Sequence, residues 1–264
     1  MSIFEAIILG LVEGITEFLP ISSTGHLILT RDMFGLQGDA VDRQLIIIQG
    51  AAILAVVWEF RQKIFSTAFS LHSSAVSRRF LLNLVIVSVP LGVLGLLFEE
   101  QIKSFLFNPM TVAAALVVGG VIILWAERRT HEERVTDVDQ LTWKDALKLG
   151  LFQALALIPG TSRSGATIIG GLLTGLSRRT AAEFSFFAAL PALVAATIYE
   201  IYKARDEFAS MDLTPLIVSC VVSFVSALLA TKFLLRYVSK YSFAPFAWYR
   251  IAFGVVILVY MGLS

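Results

Sequence analysis

The chain has 264 residues, of which 57% are hydrophobic and only 16% charged, with a mean hydropathy of +0.80. A soluble domain averages about 45–50% apolar and about 25% charged residues, so this composition excludes a soluble enzyme, a disordered chain and a nucleic-acid binder. The net charge of +1 offers no basic field for a polyanion, and the single cysteine, Cys220, excludes an intrachain disulfide framework. The chain reads as a polytopic, all-α integral membrane protein with a single transmembrane domain.

The first twenty residues lack a basic n-region, Glu5 interrupts their apolar run, and Glu13 and Glu17 follow where a cleavage site would lie. They are expected to stay in the mature protein. Residues 3–29 are apolar but broken by Glu13, Glu17, Pro20 and the run Ser22-Ser23-Thr24-Gly25-His26. Six stretches long enough to cross a bilayer follow, at 45–60, 80–98, 109–126, 184–201, 215–235 and 246–263. Between the third and fourth, residues 146–176 are apolar but broken by Pro159-Gly160-Thr161-Ser162-Arg163-Ser164-Gly165. Broken backbone at membrane depth must be shielded by protein or line a cavity. Both broken regions are therefore read as re-entrant helix–loop–helix hairpins.

The two breaks are related by a weak internal repeat. At an offset of 140, Gly10-Leu11 falls on Gly150-Leu151, Glu13 on Gln153, Ser22 on Ser162, Thr24 on Ser164 and Gly25 on Gly165. Phe107 and Pro109 match Phe243 and Pro245, and Gly120-Val121-Ile122-Ile123-Leu124 matches Gly254-Val255-Val256-Ile257-Leu258. Repeats of about 1–130 and 140–264 would each hold one hairpin and three spans. That odd number of crossings turns the second copy upside down.

Charge fixes an orientation. One set of loops carries Arg61, Lys63, Arg78, Arg79, Arg128, Arg129, Arg134, Lys144, Lys148, Arg178, Arg179, Arg236 and Lys240. The other carries Arg31, Arg43, Lys103, Lys203 and Arg205. The positive-inside rule puts the richer set in the cytoplasm and both termini outside. The hairpins then enter from opposite faces, and their tips can meet inside the membrane.

An intramembrane charge is disfavoured by about 2.5–3.5 kcal/mol, so Glu13, Glu17 and Arg163 must pair or do chemistry. Glu13 and Glu17 share one helical face. One reading is a structural Glu–Arg pair locking the hairpins; another leaves Glu13 in a wet vestibule with no specific role. The third is a buried phosphate site. Ser22, Ser23 and Thr24 supply an N-cap for a half-helix beginning near Gly25, yet three hydroxyls, a glycine and a histidine exceed what a cap needs. Thr161, Ser162, Ser164 and Gly165 offer the same at the second break, with the Arg163 guanidinium added. Helix N-termini bind phosphate through free N–H groups, and arginine adds a planar fork.

Glu13-Gly14-Ile15-Thr16-Glu17-Phe18-Leu19-Pro20 with Ser22-Ser23-Thr24-Gly25-His26 resembles the first signature of the bacterial undecaprenyl-pyrophosphate phosphatases associated with bacitracin resistance. Pro159 to Thr167 looks like their second signature, and the likeness extends through Phe107-Asn108-Pro109 and Glu183-Phe184-Ser185-Phe186. Residues 41–44 depart from that pattern.

The resemblance implies hydrolysis of undecaprenyl pyrophosphate to undecaprenyl phosphate, recycling the lipid carrier of cell-wall synthesis in the bacterial inner membrane. It also implies a divalent cation, an outward-facing site, contact with membrane lipids, and a homodimer. Glu13, Glu17, Ser23, His26 and Arg163 match the family's essential residues. Ser23 would be the nucleophile, activated by Glu17 or His26, and Arg163 would hold the phosphoryl oxygens. Ser22, Thr24, Gly25, Thr161, Ser162, Ser164 and Gly165 would contact substrate. Glu13 and Glu17 suit Mg²⁺ or Ca²⁺ rather than a soft metal.

Two alternatives compete. Another class of membrane lipid phosphatases uses a histidine nucleophile and a second catalytic histidine, but His72 and His131 fall in cytoplasmic loops. A lipid-phosphate or anion transporter shares the inverted-repeat architecture, but has no need of a nucleophile, acid and histidine together.

Overall fold

The structure is a computed structural model and describes residues 1–102, 108–129, 132–205 and 212–263. Lys103, Phe107 and His131 lie outside the described residues. The described chain is all-helical, with an isolated bridge between Val135 and Leu176. In chain order the helices are α1 (Ile3–Thr16), α2 (Ser23–Met33), α3 (Asp39–Glu59), α4 (Arg61–Phe69), α5 (Ala75–Leu97), α6 (Glu99–Gln101), α7 (Pro109–Arg128), α8 (Trp143–Ala154), α9 (Arg163–Leu173), α10 (Arg178–Ala204), α11 (Thr214–Val238) and α12 (Ala244–Leu263).

Helices α3, α5, α7, α10 and α11 are each long and apolar enough to cross a membrane, so the protein is a multi-pass membrane protein. They cover the first five expected spans, and α12 covers the sixth stretch. All but α7 begin before the apolar segments they carry. Helix α3 starts at Asp39 rather than Leu45, because Asp39 and Asp42 in its first turn suit the positive end of a helix. The region 41–44 is therefore the first turns of α3.

Both broken regions are helix pairs: α1 and α2 around the first break, α8 and α9 around the second. Local chemistry starts them. Ser2 and Glu5 form a capping box at α1, and Thr142 and Asp145 form one at α8. The two pairs have matching surroundings. Helix α1 packs on α2 and α11, while α8 packs on α9 and α5; α3 and α10 pack on each other. Gly10 sits against α11, where a Cβ would lie 2.4 Å from the Ser219 carbonyl oxygen. Gly150 sits against α5, where a Cβ would lie 2.7 Å from the Val87 carbonyl oxygen. Small residues allow such backbone approach inside a membrane, where apolar burial alone gives helices little reason to associate.

The main core gathers around the first break: Phe18, Ile53, Ile123, Ile168, Phe186, Leu234 and Phe243 are all buried in it. Phe18 meets Phe186 edge to face, with centroids 5.5 Å apart. Ion pairs tie together the loops assigned to one side by their positive charge. Lys63 pairs with Asp139 at 2.5 Å and Arg178 with Glu127 at 2.6 Å, while Arg79 donates to the Asp139 carbonyl; Lys232 of α11 pairs with Glu59 of α3 at 3.5 Å. His72 is solvent-exposed in that group of loops.

Candidate active site

Each break turns through a serine in the left-handed region. Ser22 and Ser162 both have φ of 71°, and they are the two non-glycine residues with positive φ among those described. Such backbone costs about 1–3 kcal/mol and persists only where its surroundings impose it. The two serines then differ. Ser162 Oγ accepts from the Gly165 amide at 3.1 Å and caps α9. Ser22 makes no side-chain cap, so the expected serine cap of the first half-helix is absent and α2 opens with its first amides uncapped. An uncapped helix start beside a cavity favours an anionic ligand.

The breaks meet around Glu17. Ser23 Oγ donates to Glu17 Oε2 at 2.5 Å, and Gln49 Nε2 donates to the same oxygen at 3.1 Å. Arg163 Nη2 donates to Glu17 Oε1 at 2.9 Å, while Arg163 Nη1 donates to the Ser185 carbonyl at 3.0 Å. The Glu17–Arg163 pair is thus present and largely buried, their side chains being 5% and 11% exposed. It does not exhaust either partner. The carboxylate also holds the Ser23 hydroxyl, and a guanidinium has five donors, of which these bonds use two.

A cavity of about 170 Å³ lies against this cluster. Its polar wall includes Glu17, Ser22, Ser23, Thr24, Gln49, Ser162 and Arg163, and its apolar wall is Leu91, Ala156, Ala192 and Leu193. Gly25, Thr161, Ser164 and Gly165 do not line the cavity. Gly25 is buried against Leu116 and Val112, and Thr161 stands in the turn at the second break. Ser164 Oγ donates to the Leu19 carbonyl at 2.9 Å and ties the breaks together. Gly165 gives its amide to Ser162.

His26 is engaged away from Ser23. Its Nδ1 lies 2.7 Å from the Ser22 carbonyl oxygen and its Nε2 lies 2.7 Å from the Tyr249 hydroxyl. A carbonyl only accepts, so Nδ1 carries a proton, and in the neutral ring Nε2 accepts from the tyrosine. The ring stacks on Phe253 with centroids 4.2 Å apart. Of the two candidate bases, Glu17 is the one in contact with the Ser23 hydroxyl.

Glu13 is fully buried one turn before Glu17, and neither of its carboxylate oxygens has a hydrogen-bond partner. A buried carboxylate without donors fits a cation ligand. Among the described residues no group of three or more His, Cys, Asp or Glu is placed to hold a metal ion, so they offer no full cage. Two carboxylates completed by phosphate oxygens and water are the usual environment of Mg²⁺ beside a phosphorylated substrate. Glu13 and Glu17 fit as two carboxylate ligands of a hard cation.

Two contributors had little sequence signal. Gln49 is a lone amide within Ile46-Ile47-Ile48-Gln49-Gly50. Arg250 is a lone charge in the last apolar stretch, which marks a functional or structural role by default. It is fully buried and donates to four carbonyls: Leu116 at 3.3 Å, Ala115 at 3.1 Å, Pro20 at 3.2 Å and Gly160 at 3.0 Å. Pro20 belongs to the first break and Gly160 to the second, so one side chain holds both against α7. Gly119 makes the room, since a Cβ there would lie 2.1 Å from the guanidinium.

Comparison with known proteins reaches almost the whole chain. The family described as "Bacitracin resistance protein BacA" matches residues 6–256. A protein of Pseudomonas aeruginosa (strain PAO1) named undecaprenyl-diphosphatase is 59% identical over 255 residues, covering 97% of this chain and 92% of the relative. Proteins of the same name from Pseudomonas putida (strain W619) and Dechloromonas aromatica (strain RCB) are 57% and 54% identical, each across 97% of this chain and 92% and 93% of the relative.

Proposed function

This chain belongs to the bacitracin resistance protein BacA family, and from that premise we propose that it is an undecaprenyl-diphosphatase, hydrolysing undecaprenyl pyrophosphate to undecaprenyl phosphate and phosphate. The observation that carries the reading is the 2.5 Å bond from Ser23 Oγ to Glu17, whose other oxygen is held by Arg163, all on one cavity wall. Transport of a lipid phosphate has no use for a serine hydroxyl aimed at a carboxylate.

In the proposed reaction Glu17 takes the Ser23 proton as Oγ attacks the terminal phosphorus. The bond from phosphorus to the bridging oxygen breaks, and undecaprenyl phosphate leaves with the electron pair. Water then cleaves the phosphoserine, releasing phosphate and restoring the hydroxyl. The spare Arg163 donors and the uncapped start of α2 hold the phosphoryl oxygens as charge builds. Glu13 and Glu17 would hold a Mg²⁺ or Ca²⁺ ion, which when bound neutralises pyrophosphate charge. His26 keeps the Ser22 carbonyl in place.

The architecture proposed with this function is six crossings plus two re-entrant hairpins, in inverted repeats of about 1–130 and 140–264. The shared φ of Ser22 and Ser162 and the matched seating of Gly10 and Gly150 support it. The loops joined by Lys63–Asp139 and Arg178–Glu127 are then cytoplasmic, and the site opens to the outside of the inner membrane. A homodimer among membrane lipids belongs to the same reading. Purified protein given undecaprenyl pyrophosphate tests the function: free phosphate should appear, and should fall when a chelator is added. Binding of the lipid without phosphate release in the presence of Mg²⁺ or Ca²⁺ would favour the transporter.

A further inference from the structure

A second cavity, of about 330 Å³, lies at the C-terminal end of α7, where the starts of α10 and α12 meet it. Its wall carries Glu127 and Arg128 of α7, Arg178 of α10, Ser242 just ahead of α12, and the apolar Leu124 and Trp248. None of these residues lines the cavity beside Glu17.

The one carboxylate on that wall is already saturated. Arg178 Nε donates to both Glu127 oxygens at 3.1 Å, and Nη2 donates to Oε2 at 2.6 Å. Glu127 Oε1 also accepts from the Phe243 amide at 2.7 Å. Arg178 keeps three of its five donors, because these bonds use only Nε and one hydrogen of Nη2. Arg128 is exposed and makes no ion pair among the described residues. Ser242 Oγ accepts from the Ala244 amide at 3.4 Å, which leaves its own proton to donate. The wall thus presents two guanidiniums and a hydroxyl against one occupied carboxylate.

Its surroundings are those of a membrane interface. Trp248 is exposed, and so is Trp125, whose ring centroid lies 4.1 Å from the Arg129 guanidinium. Exposed tryptophan marks the headgroup level of a bilayer. One turn before Leu124, Val121 is exposed on the same face of α7, and Val255 is exposed further along α12. In the orientation proposed above the cavity opens at the cytoplasmic leaflet, where basic pockets between transmembrane helices suit anionic headgroups.

We propose that this cavity binds the phosphodiester of an anionic glycerophospholipid between Arg128 and the free edge of Arg178, with the acyl chains along Leu124 and Val121. A single negative charge matches the wall's excess of one positive charge. A zwitterionic headgroup would bring an ammonium against the two guanidiniums. The bound lipid would tie α7, α10 and α12 together at one end. The proposal goes beyond the phosphatase reading and does not depend on it, since no catalytic residue takes part.

The test is thermal unfolding of the detergent-purified chain with phosphatidylglycerol, or with phosphatidylcholine of the same acyl chains. Phosphatidylglycerol should raise the melting temperature roughly 3 °C or more above phosphatidylcholine, as a ligand of the folded state does. Arg128→Gln should lose most of that difference. Arg61→Gln, which removes an exposed positive charge outside the cavity, should keep it. No difference in wild type, an unchanged difference in Arg128→Gln, or an equal loss in both variants would overturn the proposal. Inorganic phosphate and undecaprenyl phosphate are measured alongside; Arg128-dependent stabilisation by either, with none by phosphatidylglycerol, would also overturn it. As a second measurement, a phosphatidylglycerol with a photoreactive group near its glycerol should label peptides containing residues 124–128 or 242–248, and labelling confined to other peptides would overturn it.

Discussion

Glu17 and Arg163 stand 146 residues apart in the chain, yet the Arg163 guanidinium donates to Glu17 Oε1 at 2.9 Å while Ser23 occupies the other oxygen. One carboxylate thus joins the two breaks. It orients the serine from its own half and the arginine from the other, and it couples their geometry.

Replacing that carboxylate should stop turnover without unfolding the chain. Glu17→Gln keeps the shape and can still accept one bond, but it cannot take the Ser23 proton. Phosphate release should fall by roughly 10²–10⁴, the usual worth of a general base, with little change in melting temperature. Glu13→Gln should be milder, and higher Mg²⁺ or Ca²⁺ should partly restore it, because its orphaned oxygens touch no other donor. Full activity in the double variant would remove both acids from the chemistry.

Arg163→Lys retains the charge and loses the fork. Lysine is a point charge that cannot hold Glu17, the Ser185 carbonyl and a phosphoryl oxygen in one plane. Turnover should drop on the order of a hundredfold, as for loss of a transition-state donor. Activity within a few-fold of wild type would mean that charge alone suffices there.

Arg250→Met tests the staple between the breaks. It leaves the carbonyls of Pro20 and Gly160 buried without a donor, at about 1–3 kcal/mol for each group left unsatisfied. A lower melting temperature and loss of activity should appear together. Normal stability with normal activity would show that the two breaks hold position without it.

Those two arginines illustrate what could be read before the fold was known. Arg163 sits in a polar run between Pro159 and Gly165, so composition exposes it, and a Glu–Arg pair across the two breaks could be expected from the repeat. Arg250 and Gln49 sit in apolar runs. Their bonds go to carbonyls and to a carboxylate far off in sequence, which no local pattern encodes. The helix ends were blurred for another reason. Hydropathy marks the apolar part of α3, and Asp39 and Asp42 lie in polar first turns that it does not register. The serine cap expected at the first break is not decided by φ: Ser22 and Ser162 share φ of 71°, yet Ser22 makes no side-chain cap and Ser162 does.

Topology gives an independent check. On a Cys220→Ser background, cysteines at the exposed positions Gln37 and His72 should respond oppositely to a membrane-impermeant thiol reagent added outside. Gln37→Cys should be labelled and His72→Cys protected. Labelling at position 72 would contradict the orientation that turns the second half upside down.

The account stands most directly on the Ser23 hydroxyl, and the measurement is phosphate release from undecaprenyl pyrophosphate by Ser23→Ala beside wild type, with lipid binding measured in the same preparations. The predicted result is a loss on the order of a thousandfold or more, as when a catalytic serine is removed elsewhere, with binding retained through Arg163 and the start of α2. Near-normal release by Ser23→Ala would contradict it and transfer the attack on phosphorus to His26 or to water.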